Sequence, residues 1–455
     1  MTAVGVVSLG CSKNRVDTER MLGLLTAAGY RIEPDPAKSD IIIVNTCGFI
    51  EPAKQESIDS ILDMARYKQS GRCRLLLVTG CLSQRYPGAL HEQMPEIDGM
   101  LGVGQYGRLL EMIAQAERGE RPAFTAPHAD LSETSLSETD LSEDVDRVLT
   151  TPPYSAYIKI GDGCDNRCSY CAIPLIRGAY RSRPMSGILR EIERLAARGV
   201  KEFTLVSQDT TRYGTDFAST KGCVGESQLP ALLREAAALP SVQWLRALYC
   251  YPARVDEALL DALALANPSK VCGYLDVPIQ HIVPRLLTAM HRHGTAGHIR
   301  WVIGAARARG LALRTSIIVG FPGETEADFA ELMDFVSQAK FDRLGAFAFS
   351  PEEDTPAADM PDQVPDEVKR ERLDRLMTLQ QRISAERNAL RVGSTCRVLT
   401  EGIRDDGLHR GRSAWEAPEI DGHILFRAAA PLRPGDFATV RITGAQTYDL
   451  LGETL

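Results

Sequence analysis

The chain has 455 residues, 44% hydrophobic and 25% charged, an ordinary composition for a globular protein but too long for one compact core. No apolar run approaches the roughly 20 residues needed to cross a bilayer, which sets aside a membrane-spanning helix. With 52 basic and 60 acidic residues the formal net charge is −8, so no overall positive field draws in a nucleic acid.

From the N-terminus, apolar runs at residues 4–8, 40–45 and 74–79 alternate with helical patterns over about 17–29 and after Pro52. This βαβ rhythm predicts a parallel sheet covered by helices. The run ending at Cys11 has the look of a lipoprotein cleavage site, yet no basic segment and few apolar residues precede it, so the protein is expected in the cytoplasm.

Around residues 118–150 the pattern collapses into Asp130-Leu-Ser-Glu-Thr, Ser135-Leu-Ser-Glu-Thr and Asp140-Leu-Ser-Glu-Asp. An acidic threefold repeat with so little apolar content reads as a solvated linker, with a regulatory or docking tail as the alternative.

A second series begins after Tyr154, with strands expected at 156–160, 203–206, 243–249, 273–279, 311–319 and 344–349 and a helix at 188–198. Six such units predict an open or partial (β/α) barrel whose chemistry lies at the C-terminal ends of its strands. A charged helix over about 366–390 leads to short β-like runs at 395–400, 424–426 and 437–443, read as a small antiparallel β-barrel. The fold class is therefore α/β, with an N-terminal parallel domain at 1–117, the linker at 118–150, a barrel core at 151–385 and a C-terminal β-barrel at 386–455.

Eleven cysteines, an odd number, in a compartment expected to be reducing argue for metal-binding thiolates rather than a disulfide framework. Cys164, Cys168 and Cys171 form a C-x3-C-x2-C set directly after the first barrel strand. Three thiolates suit a 4Fe-4S cluster with one iron left open. A zinc knot is the alternative, but zinc takes four ligands and no further Cys or His stands nearby at finger spacing.

Cys11, Cys47 and Cys81 each follow one of the first three expected strands. In a parallel sheet these strand ends share one edge, so the three thiols converge without a compact motif, and Gly10, Gly48 and Gly80 let backbone approach a bulky group. Cys73, Cys223, Cys250, Cys272 and Cys396 read as small core residues.

The C-x3-C-x2-C set in this position resembles the radical S-adenosylmethionine (SAM) superfamily. Together with Ser8-Leu-Gly-Cys-Ser-Lys-Asn-Arg-Val-Asp17, Val206-Ser-Gln-Asp-Thr-Thr-Arg-Tyr-Gly214, Asp276-Val-Pro-Ile-Gln-His281, Phe349-Ser-Pro-Glu-Glu-Asp-Thr355 and Gly411-Arg-Ser-Ala-Trp-Glu-Ala-Pro-Glu-Ile-Asp-Gly422, the chain resembles the radical SAM methylthiotransferases over nearly its whole length. The C-terminal barrel is then a TRAM domain.

The resemblance implies two 4Fe-4S clusters, on Cys11, Cys47 and Cys81 and on Cys164, Cys168 and Cys171, and two SAM molecules. One SAM methylates a sulfur held at the N-terminal cluster; the other is cleaved at the core cluster, so that the methylthio group reaches a substrate carbon radical. No side chain is needed as a catalytic acid or base. It also implies Tyr170 against the adenine, Gln208 near the methionine amino group, and Ser316 on the strand that contacts adenine, where the family has glycine. Gln280, at the end of another strand, is a further candidate to face SAM. Ordinary turn and core roles compete for Gln208, Gln280 and Ser316. Arg177, Arg181 and Arg183 are candidates for holding SAM or substrate carboxylates, with a surface role as the alternative.

The branch it most resembles modifies the β-carbon of an aspartate of small-subunit ribosomal protein twelve, with flavodoxin or ferredoxin as electron donor. The alternative is a tRNA adenosine methylthiotransferase. An RNA-binding barrel should be basic, because phosphate contacts supply much of the affinity. Residues 389–455 contain no lysine, and Arg391, Arg397, Arg404, Arg410, Arg412, Arg427, Arg433 and Arg441 face Glu401, Asp405, Asp406, Glu416, Glu419, Asp421, Asp436, Asp449 and Glu453. A basic ribosomal protein suits that balance better, and nucleic acid is not expected as the direct substrate.

Overall fold

The computed structural model describes residues 1–125, 146–217, 225–264 and 270–455. The acidic repeats at 130–144 and Cys223 lie outside them.

Six strands, β1 (Ala3–Ser8), β2 (Arg31–Ile32), β3 (Ile41–Thr46), β4 (Leu75–Gly80), β5 (Gly99–Leu101) and β6 (Ala123–Phe124), form one sheet. Its order is β2-β1-β3-β4-β5-β6, with every pairing parallel. Continuous apolar runs such as Ile41-Ile-Ile-Val44 and Leu75-Leu-Leu-Val78 suit strands buried on both faces. Alternate residues serve opposite sides: Ile41, Ile43, Leu75 and Leu77 meet Leu109, Met112 and Ile113, while Ile42, Val44, Leu76 and Val78 meet Ile61 and Leu90. The sixth strand carries this sheet to Phe124, past the boundary expected at 117.

The second unit opens with β7 (Ser155–Lys159), followed by a short antiparallel pair, β8 (Gly161–Asp162) and β9 (Arg181–Ser182). Parallel strands β10 (Glu202–Val206), β11 (Trp244–Ala247), β12 (Tyr274–Asp276), β13 (Ala312–Val319) and β14 (Arg343–Ala348) complete it. They form two three-stranded sheets, β7-β10-β11 and β12-β13-β14, linked by a parallel bridge between Leu245 and Val271. The expected six-unit partial barrel is therefore present. Its helices bury Ile188, Ile192, Leu232, Leu259, Val302 and Phe329 against the strands.

The helix Asp366–Ala389 runs unbroken across the boundary expected at 385. After it, β15 (Thr395–Ile403), β16 (His409–Arg412), β17 (Ile424–Arg427), β18 (Phe437–Ala445) and β19 (Leu450–Thr454) close into a barrel of order β15-β16-β17-β19-β18. All its pairings are antiparallel except that of β17 with β19.

Buried polar contacts seat this barrel on the core. Arg412, 1% exposed, pairs with the fully buried Glu202 of β10 at 2.6 Å. Tyr274 donates to Asp421 at 2.6 Å, and Arg246 donates to the carbonyls of Ala414 and Glu416, each at 2.9 Å. Removing one partner of a desolvated ion pair leaves the other charge buried and uncompensated. Arg412→Met should therefore cost about 3–5 kcal/mol, measured as a lowered denaturant midpoint, and an unchanged midpoint would show that the pair does not hold the barrel in place.

Candidate metal centres

The C-terminal ends of β1, β3 and β4 present Cys11, Cys47 and Cys81 on one sheet edge. Cys11 stands at the N-cap of helix Ser12–Ala27, and Cys81 opens helix Cys81–Arg85. Asn14 ties these loops together, donating to the carbonyls of Leu9 and Thr46, each at 2.9 Å, while Asn45 donates to the Asn14 carbonyl at 2.9 Å. Ser57 fixes the next loop: it accepts from the Cys47 amide at 3.0 Å and donates to the Cys47 carbonyl at 2.9 Å. Gly80 holds φ +100°, and a Cβ there would collide with Asn45 and sit 2.5 Å from the Thr46 carbonyl oxygen. The turn that delivers Cys81 thus requires glycine.

Burial and the neighbouring Cys81 push the Cys47 thiol up to about 11, and burial raises Cys81. Cys11 opens towards solvent though protein atoms crowd it. Burial alone would raise it, but the Lys13 ammonium and Arg177 guanidinium outweigh that and lower it.

The second triad lies in the loop between β8 and β9. The Cys164 amide donates to the Gly178 carbonyl and the Cys171 amide to the Cys168 carbonyl, each at 3.0 Å. Gly163, at φ +80°, allows the two arms to close, since a Cβ there would strike the Ala179 carbonyl. Ser169 anchors the loop to the barrel through its amide to the Met290 carbonyl at 3.0 Å and its hydroxyl to the Ala289 carbonyl at 2.8 Å. Burial pushes Cys164 up to about 12 and raises Cys171 further. Buried thiols with raised pKa values ionise readily only beside a strong positive charge, which iron supplies.

The two loops meet. Ala172 and Ile176, from the turn and helix just after Cys171, pack with Cys81 and Val103. Arg177 places Nη2 3.5 Å from Cys81 Sγ and donates to Asn14 Oδ1 at 3.1 Å. It also pairs with Asp162 at 2.9 Å and Asp17 at 3.3 Å, and Lys159 bridges the same two carboxylates. The sequence offered Arg177, Arg181 and Arg183 for SAM or substrate carboxylates, with a surface role as the alternative. Arg177 and Arg183 are buried rather than on the surface, and the carboxylates they meet belong to the chain itself: Asp17 and Asp162 for Arg177, and Glu191 at 2.6 Å for Arg183, which also donates to the Lys159 carbonyl at 2.8 Å.

The other candidates lie on or just beyond the barrel strands and in the cysteine loop. Gln208 donates to Asp162 at 3.0 Å. Gln280, at φ +69°, joins β13 by backbone bonds to the Ser316 carbonyl at 2.9 Å and from the Ile318 amide at 2.8 Å, so Gln280 and Ser316 are neighbours. Tyr170 is partly buried beside Cys168.

Sequence reasoning missed Arg292, which lies 3.8 Å from Cys168 Sγ and stacks 4.2 Å over the Tyr251 ring. It also missed Lys13, Lys159 and Asp162. Only Lys13 carried a local signal, a lysine in the first turn of a helix.

Among the described residues no three Cys, His, Asp or Glu side chains converge as ligands of a single ion. A cluster does not require that, because each thiolate meets a different iron. The thiols of Cys73, Cys250, Cys272 and Cys396 sit in or against apolar clusters, so they add no fourth ligand to either triad. Two three-thiol sets with no fourth protein ligand among the described residues fit clusters that each keep one iron open.

The chain matches three family models. These are "Uncharacterized protein family UPF0004" over residues 3–102, the radical SAM superfamily over 158–336, and the TRAM domain over 392–455. It is 48% identical over 99% of its length to "Ribosomal protein uS12 methylthiotransferase RimO" of Pelotomaculum thermopropionicum, covering 99% of that protein. It is also 48% identical to the protein of the same name from Desulforudis audaxviator, covering 97% of it. Among solved structures, the radical SAM methyltransferase TsrM from Kitasatospora setae superposes with a TM-score of 0.59 at 17% identity, over 78% of this chain and 75% of that one. The cobalamin-dependent SAM radical enzyme OxsB gives 0.51 at 13%, over 84% and 56%. These two likenesses concern the fold alone. No helix among the described residues is long and apolar enough to cross a membrane. With this sheet, partial barrel and closed C-terminal barrel, and with relatives matched end to end, the chain belongs to the RimO family of radical SAM methylthiotransferases.

Proposed function

We propose that the enzyme transfers a methylthio group to the β-carbon of an aspartate of ribosomal protein uS12, using two 4Fe-4S clusters. In this reading Cys164, Cys168 and Cys171 hold the cluster that works with SAM, and Cys11, Cys47 and Cys81 hold the other. Tyr170, Gln208, Gln280 and Ser316 contact SAM, and a flavodoxin or ferredoxin supplies electrons. When bound, the clusters and two SAM molecules supply hydrogen abstraction and the methylthio group. The protein binds, orients and keeps water out.

The observation that carries this reading is the meeting of the two cysteine loops at Cys81, Ala172, Ile176 and Arg177. That meeting supports a methylthio source and a radical-generating centre on the two sides of one buried junction. Asp17, Asp162, Lys159 and Arg177 compensate each other there, so the junction stays rigid and dry without a net charge of its own.

The names of the relatives and the charge of the C-terminal barrel support a protein substrate over tRNA. Two of its eight arginines are already taken: Arg391 pairs with Glu416, and Arg412 with Glu202 and Glu401. Arg404 faces Asp406 at 3.2 Å. The remaining five stand in a segment whose nine carboxylates outnumber its arginines, so the barrel as a whole offers phosphates no basic excess.

Reconstituted anaerobically, the wild type should carry about eight irons. Replacing either cysteine triad by alanine should halve that number, and Gly80→Ala should behave like loss of the N-terminal triad. Wild-type iron in all three variants would sink the assignment. With SAM, reductant and sulfide, the wild type should add one methylthio group to uS12, read by mass spectrometry, and the Cys164/Cys168/Cys171→Ala variant none. Unmodified uS12 alongside methylthioadenosine in tRNA would transfer the enzyme to the tRNA reading.

A further inference from the structure

We propose that Lys13, with the first turn of helix Ser12–Ala27, forms a carboxylate subsite that receives the side chain of the target aspartate and so selects it. The inference rests on the reading above, in which the substrate is a protein aspartate.

Lys13 is 7% exposed, yet its ammonium meets no carboxylate among the described residues. Its close partner is the face of Tyr249, with the ring centroid 3.5 Å from Nζ. The cations around it are all committed: Arg177 and Lys159 to Asp17 and Asp162, Arg15 to Glu419, and Arg20 to Glu191 at 3.8 Å. Apart from the Cys11 thiol, which it shares with Arg177, the ammonium has no compensating anion among the described residues, and a buried charge so placed is costly and calls for one.

The helix start repeats the demand. Its first turn contains no acidic residue, and the Cys11 side chain does not cap it. A lysine there opposes the helix dipole, which favours negative charge at this end. Such a breach of a local rule is expected where function requires it.

Position completes the case. Lys13 stands two residues after Cys11, while Tyr249 lies just beyond β11 on the barrel side. Tyr249 holds φ +63°, its amide donates to Asp276 at 2.8 Å, and its carbonyl accepts from the Thr210 amide at 3.1 Å, so the ring is a fixed platform. An anion at Lys13 therefore lies between the N-terminal triad and the barrel. A carboxylate held there fixes the β-carbon bonded to it, the atom to be modified, and an asparagine amide, still able to accept a hydrogen bond from the ammonium, forgoes the ion pair.

The test uses the full-length, cluster-loaded enzyme and purified uS12, with its target aspartate intact or changed to asparagine. Wild type should bind the aspartate form roughly tenfold or more tightly than the asparagine form, measured by fluorescence anisotropy without SAM. Lys13→Met should lose that preference and raise KM for uS12, and Lys13→Arg should restore part of both. An undiminished preference in Lys13→Met overturns the subsite alone. So does weakened SAM binding with uS12 binding intact, which would assign the lysine to the methionine carboxylate. Loss of iron in Lys13→Met with iron retained in Lys13→Arg, and equal uS12 preference in both, would also overturn it and assign the lysine to the cluster thiolates. Failure of the wild type to modify or bind either form of uS12 overturns the reading of the substrate itself.

Discussion

Charge taken out of water must be compensated on the spot, and this enzyme is organised around one place where that happens. Asp17 from the first domain, Lys159 and Asp162 from the start of the barrel, and Arg177 from the cysteine loop are each at most 3% exposed. None of them would be tolerable unpaired. Together they fix the helix Ser12–Ala27 across the barrel, where Val16 packs with Tyr157, Val206 and Tyr249. The distance between the two triads is thus a property of an ion-pair lattice rather than of a flexible tether.

The same device recurs at each seam. Glu352, in the segment after β14, accepts from the Glu51 amide at 3.0 Å and pairs with Arg85 at 3.2 Å and Lys54 at 3.3 Å, tying the last barrel segment to the first domain. Glu416 gathers Arg343 and Arg391, and its carboxyl, which burial alone would raise, is held by them down to about 2. Apolar packing builds each domain, while buried ion pairs decide how the domains are set against one another.

Much of this was legible in the sequence, for physical reasons. The strands β3 and β4 announced themselves as continuous apolar runs, and the six barrel strands by their spacing. The cysteines were legible because strand ends of a parallel sheet share an edge. The helix Ser12–Ala27 was read as starting later, because its buried positions are polar: Lys13, Asp17 and Glu19 meet the barrel side, while Asn14 and Thr18 bond within the first domain. Apolar periodicity cannot show a stripe whose partners are charges on another domain. Strands β2 and β6, with two residues each, carry too little pattern to read, and β16 hides behind His409 and two arginines. Lys159, Asp162 and Arg292 are ordinary letters in the sequence and acquire meaning only from neighbours far along the chain.

The contact between Arg177 and Cys81 joins residues 96 positions apart. A ribosome delivers Cys11, Cys47 and Cys81 long before the guanidinium that lies beside them, so the order of synthesis and the order of completion differ. The first domain emerges with its thiols in place but its electrostatic surroundings unfinished. The final surroundings of these three thiols are therefore an achievement of the whole chain, tied to closure of the barrel rather than to the birth of the domain that carries them.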